Sequence, residues 1–231
     1  MRAILEEGLR ALSLDASRAE VLEDFARRML RQNEVMNLTR ITEDGDVARL
    51  HLLDSAFLLT LTDFRKKNVL DLGTGAGFPG MPLRILEHDF DLTLLDALGK
   101  RIDWLRRTCD DMGLCRVTCL HARAEEAAAE HRERFDIVCS RAVAELRLLA
   151  ELALPLTRVG GLFLAMKSVE SDAELADAEK AIRTLGGRVR EVRDYTVPCS
   201  DVRHRVILIE KVSATPAAYP RAFAKIKKQP L

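Results

Sequence analysis

The chain lacks a net charge: 36 lysines and arginines balance 36 aspartates and glutamates across 231 residues. No global field draws it toward polyanions, so a nucleic-acid surface has to be a local patch. A long apolar run is missing at its start. Residues 1–14 are amphipathic, with Arg2, Glu6, Glu7 and Arg10 interrupting every hydrophobic stretch. That excludes a signal core or a spanning helix there, and the expectation is a cytoplasmic protein with no membrane partner. A disulfide framework is absent as well. The cysteines, Cys109, Cys115, Cys119, Cys139 and Cys199, are odd in number and irregularly spaced, which suits reduced thiols in a chain large enough to fold on its core. Cys109, Cys115, Cys119 and His121 contain no C-x-x-C knuckle and run from a helix end into a strand, so no metal is expected. Internal repeats and low-complexity segments are also missing.

What is present is a hydrophobic content of 48%, ample for a buried core. Residues 1–62 read as a helical N-terminal cap, because Val21, Leu22, Phe25, Met29 and Leu30 recur at helical spacing, as do Leu50, Leu53, Phe57 and Leu58. From Lys67 short apolar runs alternate with amphipathic stretches. The runs predict parallel strands over 68–72, 92–96, 117–120, 135–140 and 162–167, and the stretches predict helices over 79–87, 100–112, 145–156 and 170–185. Such alternation implies an α/β domain over 63–211, doubly wound and covered on both faces. After Gly186 and Gly187, the runs 188–197 and 204–211 have no helix between them, so the mostly parallel, seven-stranded sheet ends in an antiparallel pair. Residues 212–231 hold no acidic residue, four basic ones (Arg221, Lys225, Lys227, Lys228) and three prolines, and read as a basic tail or extended arm.

The segment Asp71-Leu72-Gly73-Thr74-Gly75-Ala76-Gly77-Phe78-Pro79-Gly80 joins the first predicted strand to a helix. Gly73, Gly75 and Gly77 supply positive φ and remove the Cβ where a ligand presses against backbone, and Pro79 suits the first helical position. Gly75 to Gly80 also fits G-x-G-x-x-G, with Asp96 lying 21 residues beyond Gly75, so a nicotinamide-dependent dehydrogenase is the rival reading. Register speaks against it, because this strand ends in Asp71, an anion that would repel a pyrophosphate. A carboxylate there suits a cationic ligand, such as the sulfonium and amino group of S-adenosylmethionine. Asp96 can accept from the two ribose hydroxyls in either case.

Extended through Met81-Pro82-Leu83, and followed by Leu95-Asp96-Ala97-Leu98-Gly99-Lys100-Arg101, this loop closely resembles that of the RsmG (GidB) family, the 16S ribosomal RNA guanine-N7 methyltransferases. Asn37-Leu38-Thr39, His51-Leu52-Leu53-Asp54-Ser55 and Ser140-Arg141-Ala142-Val143-Ala144 are similar to further family signatures, and the ending from Tyr219-Pro220-Arg221 to Leu231 is similar to the tail of many members. The resemblance implies a class I methyltransferase fold, S-adenosylmethionine as donor, and methylation of N7 of guanine 527 in the 530 loop of 16S RNA, within the small subunit or an assembly intermediate. It implies that Gly73 and Phe78 line the donor site, that Ala124 and Glu125 sit near the adenine, and that Arg141 reaches the cofactor. Relatives often have Leu at the Phe78 position, and other apolar residues at Ala124, whose contact is then through backbone. A catalytically silent ribosome-assembly factor is a further alternative.

Guanine N7 carries a free lone pair, so its methylation needs no general base, and orientation and electrostatics should supply the rate. Reading the guanine edges needs donors and acceptors, for which the candidates are Asn37, His51, Asp54, Ser55, Arg141 and Lys167. His51 and Asp54, one turn apart, could also be a simple intrahelical pair. Phosphate contacts are expected from Arg27, Arg28, Arg31 and Arg40 in the cap. Arg203, His204 and Arg205 are expected to join them, with Arg221, Lys225, Lys227 and Lys228 of the tail. Three patterns read as decoys: Pro198-Cys199-Ser200 mimics a cytosine-C5 nucleophile motif at the wrong place in the strand order, Asn37-Leu38-Thr39 matches a glycosylation sequon, and Trp104 lies beside Ile102 and Leu105 on a core-facing helix.

Overall fold

The computed structural model describes residues 1–141 and 144–231; Ala142 and Val143, part of one signature, lie outside the described residues. Strands β1 (Asn68–Leu72), β2 (Asp91–Asp96), β3 (Val117–His121), β4 (Phe135–Arg141), β5 (Thr157–Ser168), β6 (Gly187–Thr196) and β7 (Arg203–Lys211) form one sheet in the order β3-β2-β1-β4-β5-β7-β6. Strands β1 to β5 run parallel to one another, and β7 runs antiparallel to both β5 and β6. The order reverses between β1 and β4, which opens a crevice at their carboxyl ends, the usual ligand site of such sheets. Because β7 runs backwards, its first residues lie beside the last residues of β5: Ser168 is in register with His204 and Lys167 with Arg205.

Period-two alternation of apolar side chains makes the sheet two-faced. Val69, Leu94, Leu164 and Leu208 join one buried cluster, and Leu70, Leu95, Phe163 and Ile209 the other. The first face packs under helices α1 (Arg2–Ala11), α2 (Ala19–Met36), α5 (Gly80–Leu86) and α6 (Gly99–Asp111), with Leu5, Phe25, Met81 and Leu105 in the same cluster as the strands. The opposite face is covered by α7 (Ala124–His131), α8 (Leu146–Ala153), α9 (Asp172–Thr184) and α10 (Phe223–Lys228). The N-terminal cap therefore shares the core of the sheet. Between α2 and β1 runs a helical series of mixed pitch: α3 (Asp44–Val47), a π-helical stretch (Ala48–Leu53), α4 (Asp54–Ala56) and a 3-10 turn (Phe57–Thr60). Trp104 is buried against Phe25, with ring centroids 6.4 Å apart.

Four elements differ from expectation. Helix α7 was not anticipated: it is short, and its alanines and glutamates make a weak amphipathic pattern. Strand β5 begins five residues early, at Thr157, across Gly160 and Gly161, where a glycine-interrupted sequence hides the strand. Pro79 is the N-cap of α5, its peptide bond to Phe78 cis, and Gly80 is the first helical residue. The basic segment 212–231 is docked and partly helical, with Ile226 fully buried. No helix among the described residues is long and apolar enough to cross a membrane.

Candidate active site

A cavity of about 820 Å3 occupies the crevice, within the usual size of ligand sites. Its floor begins at the glycine loop. The amides of Gly73 and Thr74 donate to Leu95 O at 2.9 and 3.0 Å, pinning the loop to β2. Gly73, Gly75 and Gly77 have φ of 72, 58 and 91°, in the region glycine adopts without strain. A Cβ on Gly75 would meet only Gly73 O, at 3.9 Å, so its face is open to a ligand. Gly77 serves packing instead: a Cβ there would lie 2.6 Å from Met81 Cγ and 3.2 Å from Phe25 Cζ, and the residue is not part of the cavity wall. Its role in this structure is to support the loop by close packing.

Asp71 supports the loop as well. It is fully buried beneath the loop, outside the cavity wall, where its Oδ2 accepts from Thr74 Oγ1 at 2.6 Å and Gly80 N at 2.8 Å. Its Oδ1 has no partner among the described residues, and burial pushes the carboxyl up to about 6. Asp96, at the end of β2, does line the cavity. Its Oδ2 accepts from Gly75 N at 2.9 Å and its Oδ1 from Leu98 N at 2.8 Å, with Arg101 Nη1 3.4 Å from Oδ2. A carboxylate offers about four acceptor positions, of which these three donors leave Asp96 one for a ligand hydroxyl, and a second where the long Arg101 contact gives way. These features fit the expected donor and oppose a dinucleotide. The Gly80 amide, which would start a pyrophosphate site at the helix N-terminus, is already capped by Asp71, and the two carboxylates around the loop favour a cation over an anion.

The opposite wall is a buried polar network joining the cap to three strands. Asp54, only 1% exposed, accepts at Oδ1 from Tyr195 OH (2.6 Å) and His204 Nδ1 (2.7 Å), and at Oδ2 from Arg141 Nη1 (3.3 Å). Arg141 also donates from Nη1 to Leu50 O at 3.0 Å and from Nη2 to His51 Nδ1 at 3.2 Å. A guanidinium can only donate, so Nδ1 is the acceptor and the Nε2 hydrogen of His51 goes to Thr39 Oγ1, 2.8 Å away. The Phe78 ring is the apolar hub, stacked on His51 at 4.7 Å and under the Arg141 guanidinium at 4.8 Å.

Burial, reinforced by the Arg141 charge, holds the His51 imidazole down to about 4, so it is neutral near pH 7. Burial alone would raise the Asp54 carboxyl, but the His204 hydrogen bond and the Arg141 charge outweigh it and leave Asp54 below the ordinary carboxylate range. The same bond raises His204 above the ordinary imidazole value, against desolvation. Burial and the Asp54 charge push the Tyr195 phenol up, keeping it a donor.

The structure brings together His51, Asp54, Arg141, Lys167, Gly73 and Gly75 around the cavity, and also Phe78, Asp96, Ala124 and Glu125. Lys167 donates to Ala144 O at 2.6 Å and pairs with Glu174. Besides Asp71 and Gly77, two candidates stand outside the cavity wall. Ser55 is fully buried and donates to His51 O at 2.6 Å, a helix-internal bond. Asn37 is an exposed, left-handed C-cap of α2 with φ 50°, and its neighbours Leu38 and Thr39 line the cavity instead. Tyr195 was missed as a site residue and His204 was read only as a phosphate contact, because only the antiparallel register, which pairs them with each other, brings them to Asp54.

Several expected phosphate contacts are committed elsewhere. Arg205 is buried, clasped by Asp194 at 2.6 Å and Asp172 at 2.5 Å, and Arg221 is held by the buried Glu151 at 2.6 Å. Arg27 pairs with Asp44 and Glu23, Arg28 with Asp24 and Asp111, and Arg203 lies 3.8 Å from Asp194. Among the described residues Arg31, Arg40, Lys225, Lys227 and Lys228 are exposed and make no ion pair within 4.0 Å. No group of three or more His, Cys, Asp or Glu among the described residues is placed to hold a metal ion.

A family profile described as rRNA small subunit methyltransferase G matches residues 18–204. The ribosomal RNA small subunit methyltransferase G of Alkaliphilus oremlandii is 40% identical over 236 aligned positions, which cover 100% of this chain and 99% of that protein. Its counterpart from Clostridium tetani is 44% identical over 202 positions, covering 86% and 84%. Among solved structures, M. jannaschii TYW2 in complex with AdoMet superposes with a TM-score of 0.56 at 12% identity, covering 75% of this chain and 80% of that one. TrmN from Thermus thermophilus gives 0.53 at 24%, covering 68% and 48%. At these identities the structural likeness concerns the fold alone.

Proposed function

The chain belongs to the rRNA small subunit methyltransferase G family, and on that footing we propose that it methylates N7 of guanine 527 in the 530 loop of 16S ribosomal RNA, with S-adenosylmethionine as donor. The observation that carries the reading is one cavity bounded by the glycine loop and Asp96 on one side and by His51, Asp54 and Arg141 on the other. Donor and acceptor sites then share a single space. The family assignment, with the capped Gly80 amide, sets the dehydrogenase reading aside.

S-adenosylmethionine supplies an electrophilic methyl group carried on a sulfonium. The chain's own residues bind and orient: Gly73 and Gly75 offer bare backbone, Asp96 accepts from the ribose hydroxyls, and Ala124 and Glu125 take the adenine edge. Guanine N7 gains positive charge as the new bond forms, so cations at the acceptor end would oppose the reaction. His51 is held neutral and Asp54 offsets Arg141, which keeps that wall from becoming strongly positive. Tyr195 and His204 act as positioning residues that hold Asp54, and through it Arg141, in place. The partner is 16S RNA, in the small subunit or an assembly intermediate, which gives a cytoplasmic address.

The test is incubation with radiolabelled S-adenosylmethionine and either small subunits or naked 16S RNA from cells lacking the modification, followed by borohydride and aniline cleavage. Label at guanine 527 supports the proposal. No label on either substrate, with binding retained, favours the silent assembly factor.

A further inference from the structure

The segment 212–231 is tied down at several points. Arg132 donates from Nη1 to Tyr219 O at 2.7 Å and from Nη2 to Thr215 O at 2.6 Å and Pro216 O at 3.2 Å. The fully buried Glu151 of α8 accepts the Arg221 amide at 2.9 Å and its guanidinium at 2.8 and 2.6 Å. Ile226 is buried in the cluster beneath α8 and α9. These anchors place Phe223, the first residue of α10, in the wall of the cavity together with Arg123, Ala124 and Leu152. The Arg123 guanidinium lies 5.8 Å from the centre of the Phe223 ring.

This end of the cavity carries both apolar and charged groups. Beside Asp96 it is lined by the apolar Ala97, Leu98, Ala122, Ala124 and Leu152, with the charged Arg123 and Glu125 among them. With a ribose held at Asp96 and the amino-acid portion of a ligand along Gly73 to Gly75, the nucleobase is left this end. A purine presents apolar faces and a polar rim, which an aromatic ring and a guanidinium complement.

The geometry points to Phe223, braced by Arg123, as the end wall of the nucleobase slot, so that the docked C-terminal segment is a working part of the cofactor site. The inference rests on the donor reading above and names a residue that glycine-loop reasoning does not reach.

Titration calorimetry of the full chain with S-adenosylhomocysteine and with 5′-methylthioadenosine tests it. Both carry adenine, so Phe223→Ala should weaken both by a similar factor, on the order of tenfold. Phe223→Leu, which keeps apolar volume but loses the ring, should weaken both by about threefold and covers the case in which the alanine variant fails to fold. Wild-type affinity for both ligands in a folded variant overturns the inference, even where the unliganded melting temperature falls, since that pattern marks a merely structural role. Failure of the wild-type protein to bind either ligand overturns the donor reading itself.

Discussion

Two buried groups pull the acid stability of this protein in opposite directions. His51 is held at about 4 against an ordinary value of 6.5. Between those values the unfolded chain binds the extra proton, so this contribution to stability is present above pH 6.5 and is lost as pH falls to 4. Asp71 is raised to about 6 from 3.8, so its contribution is present below pH 3.8 and is lost as pH rises to 6. Each is worth about 3 kcal/mol by the size of its shift, and their windows overlap. His51→Gln should therefore shrink the gain in unfolding free energy from pH 4 to pH 7, and Asp71→Asn should enlarge it, each by about 3 kcal/mol. Urea titrations at the two pH values check both, and shifts of the same sign would contradict the account. Asp54→Asn leaves Arg141 and His204 without their counter-charge. The expected cost is about 3 kcal/mol of stability, together with a fall in methyl transfer of more than about tenfold from misplacement of Arg141; single-turnover assays measure the second.

At the scale of elements, the π-helical stretch Ala48–Leu53 and α4 after it deliver His51 and Asp54 to the cavity. Helix α1 packs on that stretch so closely that a Cβ on Gly8 would lie 2.3 Å from Leu53 Cδ1. Gly8→Ala is therefore expected to destabilise by about 1–3 kcal/mol through overpacking and to lower methyl transfer without weakening S-adenosylhomocysteine binding, because it displaces the acceptor wall only. Calorimetry beside rate measurements separates the two, and an equal loss in both would contradict it. Most elements were legible in the sequence because their apolar periods are clear, as in Val69 to Leu72. The π-helical stretch was not, since its residues fit an ordinary helical period equally well.

For the whole molecule, the C-terminal segment joins α8 to the cavity through the buried pair of Arg221 and Glu151. Arg221→Ala strands that carboxylate, at an expected cost of about 3–5 kcal/mol, and should open residues 212–231 to proteolysis before the rest of the chain; unchanged resistance would contradict the anchoring role. Charge placement separates clasped arginines from free cations. Changing Lys225, Lys227 and Lys228 together to Ala should reduce the slope of log affinity for single-stranded RNA against log salt by about 2, while Arg205→Ala should mainly destabilise, since its side chain is buried between Asp194 and Asp172.

The order of strands and helices, the turn chemistry of Gly73 and Gly75, and Asp96 at the end of β2 are local matters of period and backbone freedom, so sequence alone was enough for them. The family, too, could be read from short ordered segments. Which side chains share the cavity depended on contacts between distant positions. Antiparallel β7 carries His204 to Asp54, 150 residues away. Packing places Ser55, Asp71 and Gly77 off the cavity wall, and docking of the C-terminal segment brings Phe223 into it. The physical reason is the same in each case: a side chain's solvent, charge and partners are properties of the packed chain, and no local pattern encodes them.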